Sequence, residues 1–169
     1  LESITLVLSK WQETVNYING NCAIVGCSEP EKIADRQSVK IIAKVFTFNN
    51  AMNNCSVFNE VVNVVMDHLD VSSIDSLILS IPSHKSNIEM IKPHWKCAEQ
   101  LVVNGQASTL GISNLNTEQL IELYEWAQFV KPSTNQINFD TCCLIPPEMS
   151  LYAKEHNIQL LTHNDPDGK

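Results

Sequence analysis

Apolar runs alternate with amphipathic segments along most of the chain. Short runs rich in β-branched residues are typical of buried strands, whereas apolar residues recurring every three or four positions are typical of helices packed on a sheet. The strands predicted in this way lie at about 39–48, 74–81, 108–112, 135–139 and 158–162. The chain is therefore expected to form βα units around a parallel sheet.

The helices predicted between these strands carry end signals. Pro93 is expected to open one of them, because proline is tolerated at the first helical position, and Asn104–Gly105 is expected to end it. Asn116 with Gln119 three residues later predicts a capping box at the start of the next helix. The other two helices are predicted at 57–69 and 147–156.

The start of the chain gives a less regular pattern. Apolar residues spaced by three to four positions predict a helix over Leu1–Tyr17, which Gly20 would end. A short apolar run at Asn21–Gly26 predicts a further strand, and Ser28 with Glu31 resembles a capping box for a short helix. Six strands with intervening helices result.

The strand and helix pattern fits two α/β architectures, a (β/α)8 barrel and a doubly wound open sheet, and does not separate them. With 169 residues and 44% hydrophobic content, the chain can bury one sizeable core, so residues 1–169 are expected to form a single domain. The chain starts at Leu1 and stops in the turn-like Asp165–Lys169, and we expect a domain truncated at both ends.

The charge balance is acidic, with 19 Asp and Glu residues against 11 Lys and Arg residues. A surface that follows nucleic-acid phosphates is therefore not expected. Apolar runs are far shorter than the roughly 20 residues that cross a bilayer, and no basic segment of a signal peptide is present. A cytoplasmic protein without membrane contact is predicted.

The six cysteines include no C-x-x-C pair, so buried free thiols are favoured over a disulfide framework or a metal site. Cys142 and Cys143 are adjacent, and both a core role and a redox role remain open for them. The five histidines lack the spacing of a helical zinc site, and no metal is predicted.

Nucleotide-binding glycine motifs, hydrolase motifs and zinc-protease motifs are all absent from the sequence. Two polar segments remain, Gly111–Asn116 and Asn135–Asn138, at the carboxyl ends of neighbouring predicted strands. Their amides and hydroxyls could bind a ligand at the rim of a barrel. Alternatively, Ser113 and Asn116 only cap a helix.

The order of these motifs resembles that of aldo-keto reductases over roughly residues 20–165: a strand ending in G-I-S-N, a helix containing E-Q-L, then N-Q-I-N and a last apolar strand. Within that superfamily, Leu123–Gln128, the double cysteine and the run I-Q-L-L-T-H-N-D-P at Ile158–Pro166 are similar to the family of glutamate–cysteine ligase regulatory subunits. The resemblance implies a (β/α)8 TIM barrel of aldo-keto reductase type that is incomplete in this chain.

This resemblance also implies a loss of catalytic residues. Active aldo-keto reductases use an Asp, Tyr, Lys and His tetrad in which Tyr is the general acid. Lys44 matches the lysine, but Ser80 stands where the histidine belongs. Residues 24–43 contain Asp35 and no Tyr, so the general acid is missing. No catalytic residue is therefore assigned, and reduction of carbonyls is not expected.

The nicotinamide-amide ligands of the superfamily are matched at Ser113, Asn114 and Gln136, and His163 aligns with the aromatic residue that stacks on the nicotinamide. The resemblance therefore leaves room for vestigial NADP binding, although no cofactor is expected to be required. The competing interpretation is that this rim persists for structural reasons alone.

By implication of the resemblance, the protein is a non-catalytic regulatory subunit. It would form a heterodimer with the glutamate–cysteine ligase catalytic subunit, improve its use of glutamate and ATP, and relieve feedback inhibition by glutathione. The candidate contact surfaces are Cys142–Pro147 and the rim loops. Two alternatives remain, an NADPH-dependent aldo-keto reductase and an NADP-binding sensor module.

Overall fold

The computed structural model describes residues 33, 35–47, 55–81, 87–138 and 145–164, and the backbone of two short strands at 14–18 and 22–26. These parts hold seven strands and four helices. In chain order they are β1 (Thr14–Ile18), β2 (Cys22–Gly26), β3 (Ile42–Phe46), α1 (Cys55–Leu69), β4 (Ile74–Ser80), α2 (Ile88–Val103), β5 (Ala107–Ser113), α3 (Thr117–Trp126), β6 (Thr134–Asn138), α4 (Pro147–Glu155) and β7 (Gln159–His163).

Five strands form one parallel sheet in the order β3-β4-β5-β6-β7, and a helix connects each strand to the next. The spatial order follows the chain order without reversal. A doubly wound sheet would reverse its strand order, whereas stepwise addition in one direction is how a (β/α)8 barrel is built. The predicted parallel strands in barrel order are confirmed, and the structure is a partial (β/α)8 barrel.

The first two strands lie outside this sheet and form an antiparallel hairpin, with Thr14 opposite Gly26. The helix predicted over Leu1–Tyr17 is therefore wrong at residues 14–17, while residues 1–13 lie outside the described ranges, as do Gly20, Ser28 and Glu31. The segment T-V-N-Y-I is rich in β-branched and aromatic residues, and pairing with β2 decides its conformation. The strand predicted at Asn21–Gly26 is confirmed.

Helix α2 begins at Ile88 rather than at Pro93, which is its sixth residue, so the predicted start is wrong. The side chain of Asn87 accepts a hydrogen bond from the backbone N–H of Glu89 and caps the helix. Proline inside the helix leaves one carbonyl without its intrahelical donor, and the cap and packing of the helix outweigh that loss. The predicted stop is confirmed, with Asn104 as the C-cap and Gly105 at φ +74°.

The core lies between the sheet and its helices. Its largest fully buried side chains are Trp95, Phe58, Ile74, Leu77, Ile78, Leu79, Ile91, Leu101, Leu110, Ile112, Leu120 and Leu123. Gly111 is required where three strands meet, because a Cβ atom there would lie 3.0 Å from Thr134 Cβ and 3.2 Å from Ile78 Cγ1. Strands β4, β5 and β6 are therefore packed too closely around Gly111 to shift against one another.

A buried carboxylate joins the helical layer to the loop before β6. Glu99 on α2 is 3% exposed, and its Oε1 accepts hydrogen bonds from the backbone N–H groups of Phe129 and Val130 at 3.3 and 3.0 Å. Trp95 Nε1 donates to the carbonyl oxygen of Val130 at 3.0 Å. Glu99 and Trp95, both on α2, therefore satisfy the backbone N–H and the backbone carbonyl of Val130.

One disulfide joins α1 to α2. Cys55 and Cys97 are bonded, with their Cα atoms 4.8 Å apart, so the prediction of free thiols is wrong for this pair. The two cysteines are 42 residues apart in the sequence, so no local pattern indicated that they pair. The packing of α1 against α2 brings them together. Cys142 and Cys143 lie outside the described residues, so the core and redox alternatives for them stay open.

The segment before β3 is held to the sheet by Asp75. Its Oδ2 accepts from Ile41 N at 2.7 Å and from Arg36 Nη2 at 2.8 Å, and Arg36 also donates to the Ser73 carbonyl. The hydrogen bond from Ile41 N, followed by the contact with the Arg36 guanidinium, holds the pKa of the Asp75 carboxyl below its ordinary value. These bonds fix where the edge strand starts.

We expect Asp75→Asn to lower the stability of the protein at neutral pH and to matter less in acid. Because the folded-state pKa lies below the unfolded value of about 3.9, ionisation stabilises the fold above that pH, and the effect is lost as pH falls through the lowered pKa. Urea denaturation of both proteins across a pH series measures this. Asp67→Asn, an exposed carboxylate on α1, is the control and should change little. An equal loss for Asp75→Asn at every pH would contradict the assignment.

Candidate functional site

The candidate site lies at the carboxyl ends of the parallel strands. Ser80 pairs with Ser113, and Ser113 with Gln136, so these residues form one row across β4, β5 and β6. His163 pairs with Asn138 at the end of β7. Residues paired across adjacent parallel strands lie on the same face of the sheet, which brings the polar side chains of distant segments to one edge.

His163 is hydrogen bonded to two of the residues named with it from the sequence. Its Nε2 atom lies 3.0 Å from Asn114 Oδ1 and 3.2 Å from Ser113 Oγ. The amide oxygen of Asn114 can only accept, so the His163 nitrogen donates to it. The Ser113 hydroxyl donates its own proton to the Gln136 carbonyl oxygen at 3.2 Å. The structure thus brings Ser113, Asn114 and His163 into one network.

Asn114 links the two strands that flank this network. Its backbone is in the left-handed region, at φ +63°, which asparagine tolerates better than most residues. Its N–H donates to Gln136 O at 2.8 Å, and its side-chain Oδ1 accepts from Asn138 N, also at 2.8 Å. With His163 as a second donor, both lone pairs of Asn114 Oδ1 are used.

Gln136 lies in the same row, and its backbone and its side chain differ in their hydrogen bonding. Its backbone carbonyl accepts from Asn114 and Ser113, yet its side-chain Oε1 is buried and has no hydrogen-bond partner among the described residues. A buried acceptor without a donor costs stability, so such a group is either tolerated or completed by a bound donor. Among the four residues named from the sequence, Gln136 is the one with an unused acceptor in the described structure.

Asn135 was part of the predicted polar rim but has a structural role. It is fully buried, its Nδ2 donates to Leu115 O at 3.0 Å, and its Oδ1 accepts from Leu115 N at 3.4 Å. These bonds fasten the loop between β5 and α3 to β6. Asn116 forms the predicted capping box with Gln119, so this interpretation of the polar segment is confirmed for Asn116.

Lys44 and Ser80 lie on the same face of the sheet but at different levels. Lys44 pairs with Ile78, whereas Phe46 pairs with Ser80. The lysine therefore lies two residues further from the rim than the level of Ser80. Lys44 Nζ lies 5.1 Å from the centre of the Phe46 ring. Asp35 is not at the rim, because its carboxylate caps the 3-10 turn at Arg36–Ser38 by accepting from Gln37 N.

The two tyrosines with described side chains, Tyr124 and Tyr152, lie in the helical layer and pack edge to face. Tyr152 also stacks on His156, with ring centroids 3.9 Å apart. Burial, with the nearby Glu125 carboxylate as a further cause, raises the pKa of the Tyr152 phenol. These phenols belong to helix packing and do not reach Lys44 or Ser80.

The described residues include no group of three or more His, Cys, Asp or Glu side chains that could hold a metal ion. In the same parts of the chain, no helix is long and apolar enough to cross a membrane. What the rim offers is therefore a set of hydroxyl, amide and imidazole groups, most of them bonded to one another.

The fold and this row of residues define the class of protein. The chain belongs to the aldo/keto reductase family, whose sequence profile matches residues 19–164. Among solved structures, MGS-M4, an aldo-keto reductase from a deep-sea metagenome library, superposes with a TM-score of 0.61 at 22% identity, covering 76% of this chain and 45% of that one. An aldo-keto reductase complexed with NADPH superposes with a TM-score of 0.60 at 19% identity, covering 77% of this chain and 40% of that one.

The similarity in sequence is more specific. The chain is 36% identical over 149 residues to the glutamate–cysteine ligase regulatory subunit of Homo sapiens, covering 86% of this chain and 53% of that protein. It is 38% identical over 136 residues to the one of Mus musculus, covering 78% of this chain and 48% of that protein. An NADPH-dependent alpha-keto amide reductase of Saccharomyces cerevisiae is 29% identical over 99 residues, covering 57% of this chain and 31% of the reductase. The chain spans about half the length of the regulatory subunits that it matches.

The family implies a nicotinamide cofactor, and the side chains that the resemblance assigns to its amide are partly engaged with one another. Ser113 and Asn114 are the expected amide ligands, but His163 already lies within hydrogen-bond distance of both. A carboxamide that bound Ser113 Oγ and Asn114 Oδ1 would compete with the imidazole for these atoms. Gln136 Oε1 is a buried acceptor without a partner among the described residues.

We expect His163→Phe to increase the affinity for NADPH. The change removes the internal donor, frees the Ser113 and Asn114 side chains and supplies an aromatic ring that can stack on a nicotinamide. A gain of about one hydrogen bond corresponds to roughly fivefold tighter binding. Quenching of tryptophan fluorescence by NADPH, with isothermal titration as a check, measures the dissociation constants.

His156→Phe is the matched control, because this histidine lies in the helical layer and should leave the affinity unchanged. Adding Asn114→Ala to His163→Phe should cancel the gain. Tight binding of NADPH by the unaltered protein, unaffected by His163→Phe, would show that the imidazole does not block the amide position.

Proposed function

We propose that the protein is a non-catalytic regulatory subunit that binds the glutamate–cysteine ligase catalytic subunit as a heterodimer. In this role it improves the use of glutamate and ATP by the catalytic subunit and relieves feedback inhibition by glutathione. One observation carries the proposal. The chain is 36 to 38% identical to the human and mouse regulatory subunits over most of its length, whereas the similarity to a yeast reductase covers 57% of it at 29% identity.

The chemistry of the rim supports a role without catalysis. Reduction of a carbonyl needs a group that gives a proton to the carbonyl oxygen as hydride arrives. Ser80 replaces the family's histidine, and the described tyrosines lie in the helical layer. Lys44 is the one match to the tetrad, and a lysine alone lacks the phenol whose pKa it would tune.

The outer surface supports a protein partner. Phe129 is 74% exposed, the largest value among the described large hydrophobic residues, and Val103 is 64% exposed. The backbone N–H of Phe129 donates to Glu99 on α2, and Val103 is the last residue of the same helix. Exposed aromatic residues near other apolar side chains are typical anchors of protein interfaces.

Regulation through binding has a thermodynamic requirement. A subunit that contributes no catalytic group can change the kinetics of its partner only if it binds one conformation of that partner more tightly than another. A tenfold shift in glutamate or glutathione affinity corresponds to about 1.4 kcal/mol of such coupling. A few well-placed contacts are sufficient for that.

We therefore expect the protein in its full natural length to lower the glutamate KM of the purified catalytic subunit and to weaken inhibition by glutathione. Steady-state kinetics with and without the protein give both values, and isothermal titration gives the affinity. Phe129→Ala should weaken binding, because it removes an exposed apolar anchor, while Leu151→Ala, another exposed apolar change on α4, is the matched control. Unchanged kinetics together with an absence of binding would refute the proposal.

The second candidate is an NADPH-dependent reductase or an NADP-binding module. The observation that favours it is the buried Gln136 Oε1, which has no partner among the described residues. We expect no consumption of NADPH with aldehyde or ketone substrates. Ser80→His should not create activity, because the general acid would still be missing. Reduction by the unaltered protein that disappears in Lys44→Met would replace the regulatory proposal with this one.

A further inference from the structure

Helices α1 and α2 are joined by two neighbouring contacts. One is the disulfide between Cys55 and Cys97, and the other is an edge-to-face contact between the rings of Phe58 and His94, with centroids 6.0 Å apart. Phe58 follows Cys55 by one helical turn, and His94 precedes Cys97 by one turn. Both helices therefore direct a sulfur and a ring into the same interface.

The two sulfur-bearing residues differ in accessibility. Cys97 is 3% exposed and belongs to the hydrophobic core, while Cys55 is partly exposed and is the first residue of α1. A reagent in solution therefore reaches Cys55 first. The first turn of a helix carries free N–H groups and a partial positive charge, which favour a thiolate at that position.

We propose that Cys55 and Cys97 form a reversible redox site, which a low-molecular-weight thiol opens and the corresponding disulfide closes. A core of this size does not depend on a bridge for folding, so opening the bond leaves the fold in place. The bond controls how firmly β3, the first strand of the sheet, and the helix α1 that follows it are attached to the rest of the structure. This inference does not rest on the proposed function.

The exchange proceeds in two balanced steps. A thiolate from solution attacks the accessible sulfur of Cys55, which forms a mixed disulfide there and releases Cys97 as a thiolate that takes up a proton. A second thiolate attacks the outer sulfur of the mixed disulfide, and Cys55 leaves as a thiolate at the helix N-terminus. Two thiols are oxidised to one small disulfide, and the protein pair gains two electrons and two protons.

His94 is a further polar group at this interface. Its Nδ1 donates to the carbonyl oxygen of Met90 at 2.7 Å. His94 is 3% exposed, and its Nε2 has no partner among the described residues. Reduction adds an S–H group at Cys97, one turn further along the same helix.

The consequence for the fold follows from the position of β3. It is the first strand of the sheet and pairs with β4 alone among the described strands, so β3 and α1 form an edge unit. Noncovalent attachment of this unit relies on the β3–β4 hydrogen bonds, on the bonds that Asp75 accepts from Ile41 and Arg36, and on apolar side chains of α1 packed in the core, which are Phe58, Val62 and Met66. The disulfide closes a loop of 42 residues across this boundary and suppresses its local opening.

The test compares the protein before and after treatment with reduced glutathione. Differential alkylation with peptide mapping should recover Cys55 linked to Cys97 before treatment and both thiols free after it, with closure on return to oxidised glutathione. Hydrogen exchange followed by mass spectrometry should become faster by on the order of tenfold or more in residues 42–69 after reduction. Peptides from β6 and β7 should not change.

Matched variants separate the bond from general effects of the reagent. Cys55→Ser and Cys97→Ser should each show the fast exchange permanently and lose the response to glutathione, whereas Cys22→Ser should keep it. The native protein measured in both states gives the answer if a variant does not fold. The proposal is overturned if the pair is unlinked under oxidising conditions, if the bond resists thiols until the protein unfolds, or if opening leaves the exchange unchanged.

Discussion

The fixed register of β4, β5 and β6 is the constraint on which the site depends. Backbone hydrogen bonds place Ser80, Ser113 and Gln136 in one row, and Gly111 allows an approach that leaves no room for a Cβ atom. A slip by one residue would turn every side chain of a strand to the other face. The rim therefore persists as long as the sheet does, whether or not its side chains bind a ligand.

The side chains at the rim form an internal hydrogen-bond network. His163 donates to Asn114, Asn114 accepts from Asn138, and the Ser113 hydroxyl donates to β6. Ser113, Asn114 and His163 thereby connect the ends of β5, β6 and β7 to one another.

The sheet is not equally secured along its width. At one side β5 and β6 meet through Gly111, and Asn135 fastens the loop that follows β5. At the other side, β3 is attached through β4, Asp75 and the Cys55–Cys97 bond. A change in the contacts of the edge strand can therefore alter local stability there without disturbing the rim.

Local signals in the sequence determined the five parallel strands, the capping box at Asn116 and the stop at Asn104–Gly105, because these depend on residues a few positions apart. The family resemblance pointed to Ser113, Asn114, Gln136 and His163, which lie at the carboxyl ends of neighbouring strands. Only the tertiary structure decided that residues 14–18 pair as a strand, that Cys55 meets Cys97, and that the imidazole of His163 contacts Ser113 and Asn114. Each of these is a contact between segments distant along the chain or a choice of hydrogen-bond partner, and neither is written in the local pattern of apolar and polar residues.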